Sequence, residues 1–311
     1  MRSPVSWLLP ALLVIGGCAA SPEKSSEPPV TKTITNCGTP VAVKAPPAKA
    51  VTMNQSATEI MLALGLQDRM AGTAYLDDAV SPEYADAYAK VPVLAKEYPS
   101  KEKLLETAPD FVYASFNSAF GDEGVGDRAE WQKLDVGTYI SPAGCPKGTQ
   151  PAKLSIDDVF GEIRDIGMIF GVSDRAEALI TAQKARLTKA PTNAKVLWWD
   201  GGSDAPSVGA CCGAPGMIME AAGVTNAFAD VKGSWGDTSW EAVAERNPDV
   251  IVLIDASWDP AAKKREFLEK NATLKGLPAV KAKKYVVIPF SETSAGVRNV
   301  QAVESLVKAI S

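Results

Sequence analysis

The sequence predicts an α/β protein of two Rossmann-like lobes with mostly parallel sheets, joined by a single long helix, with a ligand cleft between the lobes. Three observations carry that expectation. Runs rich in β-branched residues alternate with helix-like runs along the chain, which favours parallel sheets covered by helices. One segment is written twice: Ser100-Lys-Glu102 stands six residues before Pro109-Asp110 and a strand-like run, and Ser239-Trp-Glu241 stands six residues before Pro248-Asp249 and another. A second pair, Glu59 to Gly65 and Met217 to Gly223, recurs at a different offset, so the first half carries an insertion. Between the copies, Ser173 to Ala190 contains no Gly or Pro. Ser173 suits an N-cap there, and Ala176, Leu179, Ile180, Gln183 and Leu187 share one stripe. At about 1.5 Å per residue this rod spans about 25 Å, enough to cross between lobes.

The chain of 311 residues exceeds one ordinary core. Residues 1–18 resemble a bacterial lipoprotein signal: Arg2, an apolar run from Trp7 to Ile15, then Gly16-Gly17-Cys18, with Cys18 the acylated residue. An ordinary secretory signal cut near Ala19 or Ala20 is the alternative. Residues 19–32 form a Ser/Pro/Glu/Lys tether. Residues 33–172 make the N-terminal lobe, 173–190 the linking helix and 191–311 the C-terminal lobe. A net charge of −5 leaves no basic footprint for nucleic acid. No stretch after the N-terminus is long and apolar enough to span a bilayer, and a monomer is expected.

Elements follow in order. Val41 to Val51, with Pro46 and Pro47, is expected to form a hairpin, and Ala50 to Met53 the first core strand. Ser56 and Glu59 have capping-box spacing at the helix that follows. Met70 to Ala74 is a strand, Ser81-Pro82 opens a helix, and the Ser100 helix leads to a strand over Phe111 to Ala114. A loop from Asn117 to Asp127, a strand over Val136 to Ile140 and a loop from Ser141 to Ala152 precede Ser155, which starts a helix with a buried face from Ile156 to Phe170. After the rod come a strand over Lys195 to Trp199, a loop from Asp200 to Ala214, a helix with Pro215 at N1 and the Glu241 helix. Val250 to Ile254, a helix near Lys263, Tyr285 to Ile288 and a last helix from about Val297 complete the chain.

Histidine is absent, which removes Ser-His and Cys-His triads and the commonest metal ligand. No nucleophile elbow, P-loop or dinucleotide fingerprint is present. No catalytic residue, metal site or cofactor is therefore expected, and paired acids such as Asp77-Asp78 are the only acid–base candidates left. In an exported protein four cysteines allow three connectivities; pairing Cys37 with Cys145 would leave Cys211-Cys212 as a vicinal bridge or free thiols.

Lipobox, two α/β lobes on one long helix and the twin Ser-x-Glu-x6-Pro-Asp segments resemble the substrate-binding proteins of bacterial ABC importers for ferric siderophores, haem and cobalamin. The resemblance covers about Thr33 to Ser311. It implies a lipid-anchored protein on the extracytoplasmic face of the cell membrane, with an ABC permease and its ATPase as partners. It also implies docking of Glu102 and Glu241 on the permease, although both are helix N2 positions that the dipole alone favours. The segments at 35–38, 53–60, 198–200, 209–215 and 289–293 resemble an actinobacterial branch assigned to import of a deazaflavin coenzyme F(420) precursor. A sensor or adhesin lobe without transport would share these features.

A small-molecule ligand is expected at the loops that follow the strands of both lobes. The candidates are Asn54, Gln55, Tyr75, Ser115, Phe116 and Ser141 with Trp199, Trp235, Trp258, Ser291 and Arg298. Five of the seven tryptophans follow the rod, and their faces suit a flat conjugated ligand, although one of Trp198 and Trp199 belongs in the core. Arg298, in the first turn of the last helix, calls for an anion. Glu292 or an acidic group of the ligand would supply it. The acidic rim of Asp77, Asp78, Asp200, Asp204, Asp237, Asp255 and Asp259 fits a neutral or cationic ferric siderophore better than a phosphodiester.

Overall fold

The computed structural model describes residues 32–43 and 45–311. Cys18 and nearly all of the tether lie outside the described residues.

Chain entry is a hairpin of β1 (Lys32–Asn36) and β2 (Thr39–Val43), earlier than the expected Val41–Val51 hairpin. Cys37 and Gly38 both have positive φ (52° and 74°), the geometry a two-residue turn needs to match strand twist. The Asn36 amide exchanges two 2.8 Å hydrogen bonds with the Ile140 backbone, so the hairpin covers what would be a bare sheet edge. A Cys37–Cys145 disulfide, Cα atoms 5.4 Å apart, ties it down, and Cys211 and Cys212 form a vicinal bridge.

The first lobe continues through β3 (Ala50–Met53), α1 (Gln55–Ala63), β4 (Met70–Ala74), α2 (Ala85–Tyr88), β5 (Val93–Ala95), α3 (Lys101–Glu106), β6 (Phe111–Ala114), α4 (Arg128–Lys133) and β7 (Gly137–Ile140). Its sheet is wholly parallel in the order β5-β4-β3-β6-β7, so the order in which successive strands are laid down reverses between β3 and β6. Such a switch point opens a crevice at the strands' carboxyl ends.

Two antiparallel helices lead out of this lobe. Helix α5 (Ile156–Ile169) starts at the expected Ser155, whose capping box is completed by Asp158. Gly171 at φ +70° turns the chain into α6 (Ser173–Arg186). Gly167 lies where a Cβ would press on Ala176, which allows the two helices their close approach. The rod is thus shorter than expected and Ser173 is its first residue, capped by the Val172 backbone with no side-chain bond. It stops early because the backbone N–H of Ala190 is drawn to the Ala222 carbonyl (2.8 Å) ahead of Pro191. Helix α6 still reaches both lobes: Arg175 donates to the Leu64 and Gly65 carbonyls, and Arg186 pairs with Glu304 at 2.6 Å.

The second lobe contains β8 (Lys195–Gly201), β9 (Ser207–Gly209), α7 (Ala214–Ala221), β10 (Thr225–Asn226), β11 (Trp235–Asp237), α8 (Trp240–Arg246), β12 (Val250–Asp255), α9 (Ala261–Lys270), α10 (Pro278–Lys281), β13 (Tyr285–Pro289) and α11 (Asn299–Ile310). Strands β8, β12, β13 and β10 run parallel, while β9 and β11 add an antiparallel edge, β9 lying inside the Asp200–Ala214 stretch expected to be loop. Side-chain alternation divides each central strand between two layers. Phe111 and Tyr113 of β6 and Val250, Val252 and Ile254 of β12 enter one apolar cluster, shared by both lobes through Ile163, Ile180 and Met217. Val112 and Ala114 face a second cluster, Ile251 and Leu253 a third.

The repeated segment has a structural cause. Ser100 and Ser239 accept from the backbone N–H three residues on (3.2 and 3.1 Å), capping α3 and α8. Asp110 accepts from the Ala48 and Lys49 N–H groups and Asp249 from that of Lys195, each fastening the entry of its lobe's first strand. Both glutamates, Glu102 and Glu241, are exposed. Hydrogen bonds from its own backbone N–H and from Ser100 hold the Glu102 carboxyl below its usual value.

Candidate ligand-binding cleft

A cavity of about 500 Å³ opens between the lobes at the switch point of the first sheet. Asn54 and Tyr75 end the adjacent strands β3 and β4, both with positive φ (75° and 58°). For Asn54, with ψ 160°, that region belongs essentially to glycine, and such strain gathers at ligand sites. The Asn54 amide is held by the Tyr98 hydroxyl (3.2 Å), which also bonds Ser118 Oγ at 2.9 Å. The rings of Tyr75 and Tyr98 meet edge to face at 4.6 Å. Phe116, following β6, and Phe290, following β13, add aromatic surface from either lobe. Asp77, Glu97 and Glu123 complete the lining. Burial, then Asp78, raises the Asp77 carboxyl above its usual value.

Phe116 also borders a separate small hollow of about 50 Å³ where Trp235, Cys212 and Ser294 lie. Trp235 is partly exposed and its side chain hydrogen bonds to Asp200, whose carboxyl is raised by burial despite Lys264 and that bond. Trp258 is 59% exposed and stands edge-on to Phe290 at 4.9 Å, so it flanks the main cavity without lining it.

Six candidates are engaged by the protein itself. Trp199 is buried, packs against Trp240 at 4.8 Å, and donates its indole N–H to the Gly201 and Gly202 carbonyls; Trp198 is buried too, so both tryptophans are core. Ser115 is buried and accepts from the Ala57 N–H (3.0 Å) at the start of α1. Gln55 donates to Glu59 (2.7 Å) and accepts from the Asp78 N–H. Arg298 pairs with Glu59 rather than with Glu292 or a free anion: Nε donates to Glu59 Oε2 at 2.6 Å, Nη2 to Glu59 Oε1 and to the Ala79 carbonyl (2.8 Å), and Nη1 to Ser291 Oγ (2.8 Å). It stands as the N-cap residue of α11. Glu59 therefore faces across the lobes, and the expected capping box with Ser56 does not form. Ser291 also donates to Asp78 (2.9 Å), extending this polar seam between the lobes. Ser141 serves the first lobe by donating to the buried Glu162 (2.8 Å).

Sequence reasoning missed Glu97, Tyr98, Ser118, Glu123 and Phe290. Glu97 and Tyr98 follow the three-residue strand β5, too short to read as a strand beside Pro92, yet the rule that selected Asn54 and Tyr75 applies to them equally.

Two α/β lobes closing on a cavity at the strand ends define a protein that captures small molecules. Residues 51–292 match the periplasmic binding protein family, and the chain belongs to that family of non-catalytic transport carriers. It is 28% identical over 281 residues to an uncharacterized ABC transporter substrate-binding lipoprotein, YvrC, of Bacillus subtilis, covering 87% of this chain and 82% of that one. Among solved structures it is similar to a periplasmic binding protein from Veillonella parvula (TM-score 0.81, 30% identity, 90% of this chain and 97% of that one). It is also similar to an ABC-type Fe3+-hydroxamate transport system structure from Saccharomonospora viridis (TM-score 0.72, 25% identity, 89% and 98%). Membership implies a cognate ABC permease with its ATPase and a small-molecule ligand. No helix among the described residues is long and apolar enough to cross a membrane.

Proposed function

We propose that the protein is the extracytoplasmic binding lipoprotein of an ABC importer for a bulky metal chelate of the ferric siderophore class. The observation that carries this reading is the aromatic-walled cavity of about 500 Å³ between the lobes, within the usual size range of small-molecule sites. Likeness to the Fe3+-hydroxamate system supports that class. The deazaflavin reading is weaker, because its acidic group was assigned to Arg298, whose donors serve Glu59, Ala79 and Ser291. Lipid anchoring at Cys18 accords with the lipoprotein designation of the Bacillus relative. Residues 33–172 and 191–311 act as the two lobes, with 173–190 linking them, and a monomer is the working unit.

Glu102 and Glu241 dock on the permease. In the repeated segment the serine caps a helix and the aspartate fastens a strand, while the glutamate is exposed at the same place on both lobes. Purified protein titrated with a ferric trihydroxamate, haem, cobalamin and a deazaflavin precursor should show saturable quenching with the trihydroxamate. Saturation by the deazaflavin alone would restore the other ligand class. Reversing the charge of Glu102 and Glu241 together should abolish uptake with ligand affinity unchanged, and a loss of affinity would instead place them in the site.

A further inference from the structure

Resting on the reading of this cleft as the importer's ligand site, we infer that it selects a cation: a chelate or organic molecule of net positive charge, held in an aromatic cage edged with carboxylates. Tyr75, Tyr98, Phe116 and Phe290 supply ring surface from both lobes, and the perpendicular meeting of Tyr75 and Tyr98 forms a corner of that cage. Aromatic faces attract cations through their quadrupole, more strongly as water is excluded. The carboxylates of Asp77, Glu97 and Glu123 line the same space, Asp77 half-buried and the other two exposed. No lysine or arginine lines it.

These acids differ from many others in the molecule. Glu130 pairs with Lys101, Glu177 with Arg164, Asp230 with Arg246 and Glu304 with Arg186. Among the described residues, Asp77, Glu97 and Glu123 form no ion pair or hydrogen bond through their side chains. Their field reaches the wall itself: the Tyr75 hydroxyl is raised above its usual value by burial first and then by Asp77, Tyr98, Glu97 and Glu123. A cation entering here relieves that repulsion, whereas an anion meets three like charges in a partly desolvated space. Charge complementarity and ring surface thus select the same occupant through independent physics.

The test uses one chelate in three charge states: a ferric linear trihydroxamate with a protonated amine tail, the same compound acetylated to a neutral tail, and the same compound succinylated to a carboxylate. The cationic form should bind the full chain about tenfold tighter than the neutral one. The succinylated form should bind weakest, and the preference should shrink as salt rises. In Asp77→Asn/Glu97→Gln/Glu123→Gln, which breaks no internal pair, the ratio of cationic to neutral affinity should fall to about one. Equal binding of all three forms would overturn the inference and leave the chelate reading standing. Phenyltrimethylammonium and benzenesulfonate, read by tyrosine quenching, separate the two ideas further. Should no chelate bind, quenching by the ammonium alone, lost in the triple variant, would uphold cation selection and sink the chelate reading. If the sulfonate binds as well as the ammonium, the inference fails whatever the chelates do.

Discussion

Asp78 accepts from Ser291 across the lobes, whereas its neighbour Asp77 lines the cavity with no cation opposite it. The two residues mark the border between regions that treat polar groups in opposite ways. In the seam, Glu59 receives the Arg298 fork and a Gln55 amide, and the Ala79 carbonyl takes another Arg298 donor. Across the border, three carboxylates and a strained Asn54 face open space. The charges of the seam are paired within the protein, whereas Asp77, Glu97 and Glu123 on the cavity wall are not. This contrast teaches that burial and charge alone do not mark a binding residue. Arg298 is the more deeply buried charge and is fully employed in holding the lobes together.

The largest expected effect tests the seam. Arg298→Met leaves Glu59, only 1% exposed, without its counter-charge, which typically costs about 3–5 kcal/mol. Urea unfolding should register a loss of that size, and Glu59→Met added to it should recover most of it because no buried charge then remains. Intact stability with a large loss of chelate affinity would move Arg298 into the cavity and erase the border drawn above.

Next in size is the cavity wall. Phe116→Ala removes a ring that borders both the main cavity and the small hollow, so chelate affinity should fall about tenfold while stability changes by less than about 1 kcal/mol, since the ring is 37% exposed. Trp199→Phe should do the reverse, lowering stability and sparing affinity, because that indole is packed among Trp240 and Phe267. A shared loss of affinity in both variants would mean that the two lobes' aromatics form one continuous site.

Much of the fold was legible in local signals. The strands over Ala50–Met53, Met70–Ala74 and Phe111–Ala114 fall where β-branched or small apolar runs end at turns, and Ser100, Ser155 and Ser239 cap helices as their spacing implied. Long-range pairing was not legible. Nothing in the neighbourhood of Glu59 announces that it meets a residue 239 positions away, and its capping-box spacing pointed to a local role. Likewise the tryptophan count favoured the second lobe, but Trp198 and Trp199 are buried, and Tyr75 and Tyr98 of the first lobe line the cavity. Strand ends located the cleft correctly because sheet order determines where backbone opens; which side chains remain unpaired there depends on the lobes' docking.

A smaller effect comes from Glu292, beside the seam, whose Oε2 is buried with no hydrogen-bond partner among the described residues. Burial first, then Asp78, Glu304 and Glu59, raise its carboxyl to about 7, against the pull of Arg298. The sign follows from proton uptake: between an unfolded value of 4.5 and about 7 the folded protein keeps a proton that the unfolded chain has released, so stability falls as pH rises through that window. Glu292→Gln should flatten part of this slope, by no more than about 1 kcal/mol after solvent screening. Glu162, buried under Tyr113 and Ser141 and also raised to about 7, contributes in the same direction, so a profile unchanged in Glu292→Gln and flattened in Glu162→Gln would assign the slope away from the seam.

The smallest effect probes the strain on the cavity side. Asn54 at φ 75°, ψ 160° occupies backbone space that glycine adopts freely, and holding another residue there costs about 1–3 kcal/mol. Asn54→Gly removes that cost but frees the unfolded chain by about 0.5–1 kcal/mol and gives up the 3.2 Å contact to Tyr98. The terms leave a net gain in stability of about 1 kcal/mol or less, visible as a small rise in the urea midpoint. Chelate binding should weaken in the same protein, since Tyr98 loses one of the two groups that set its hydroxyl and Ser118 alone remains. A variant that is more stable and binds less well would show that the strain serves the ligand. If stability falls instead, the amide holds the loops together and Asn54 belongs with the seam.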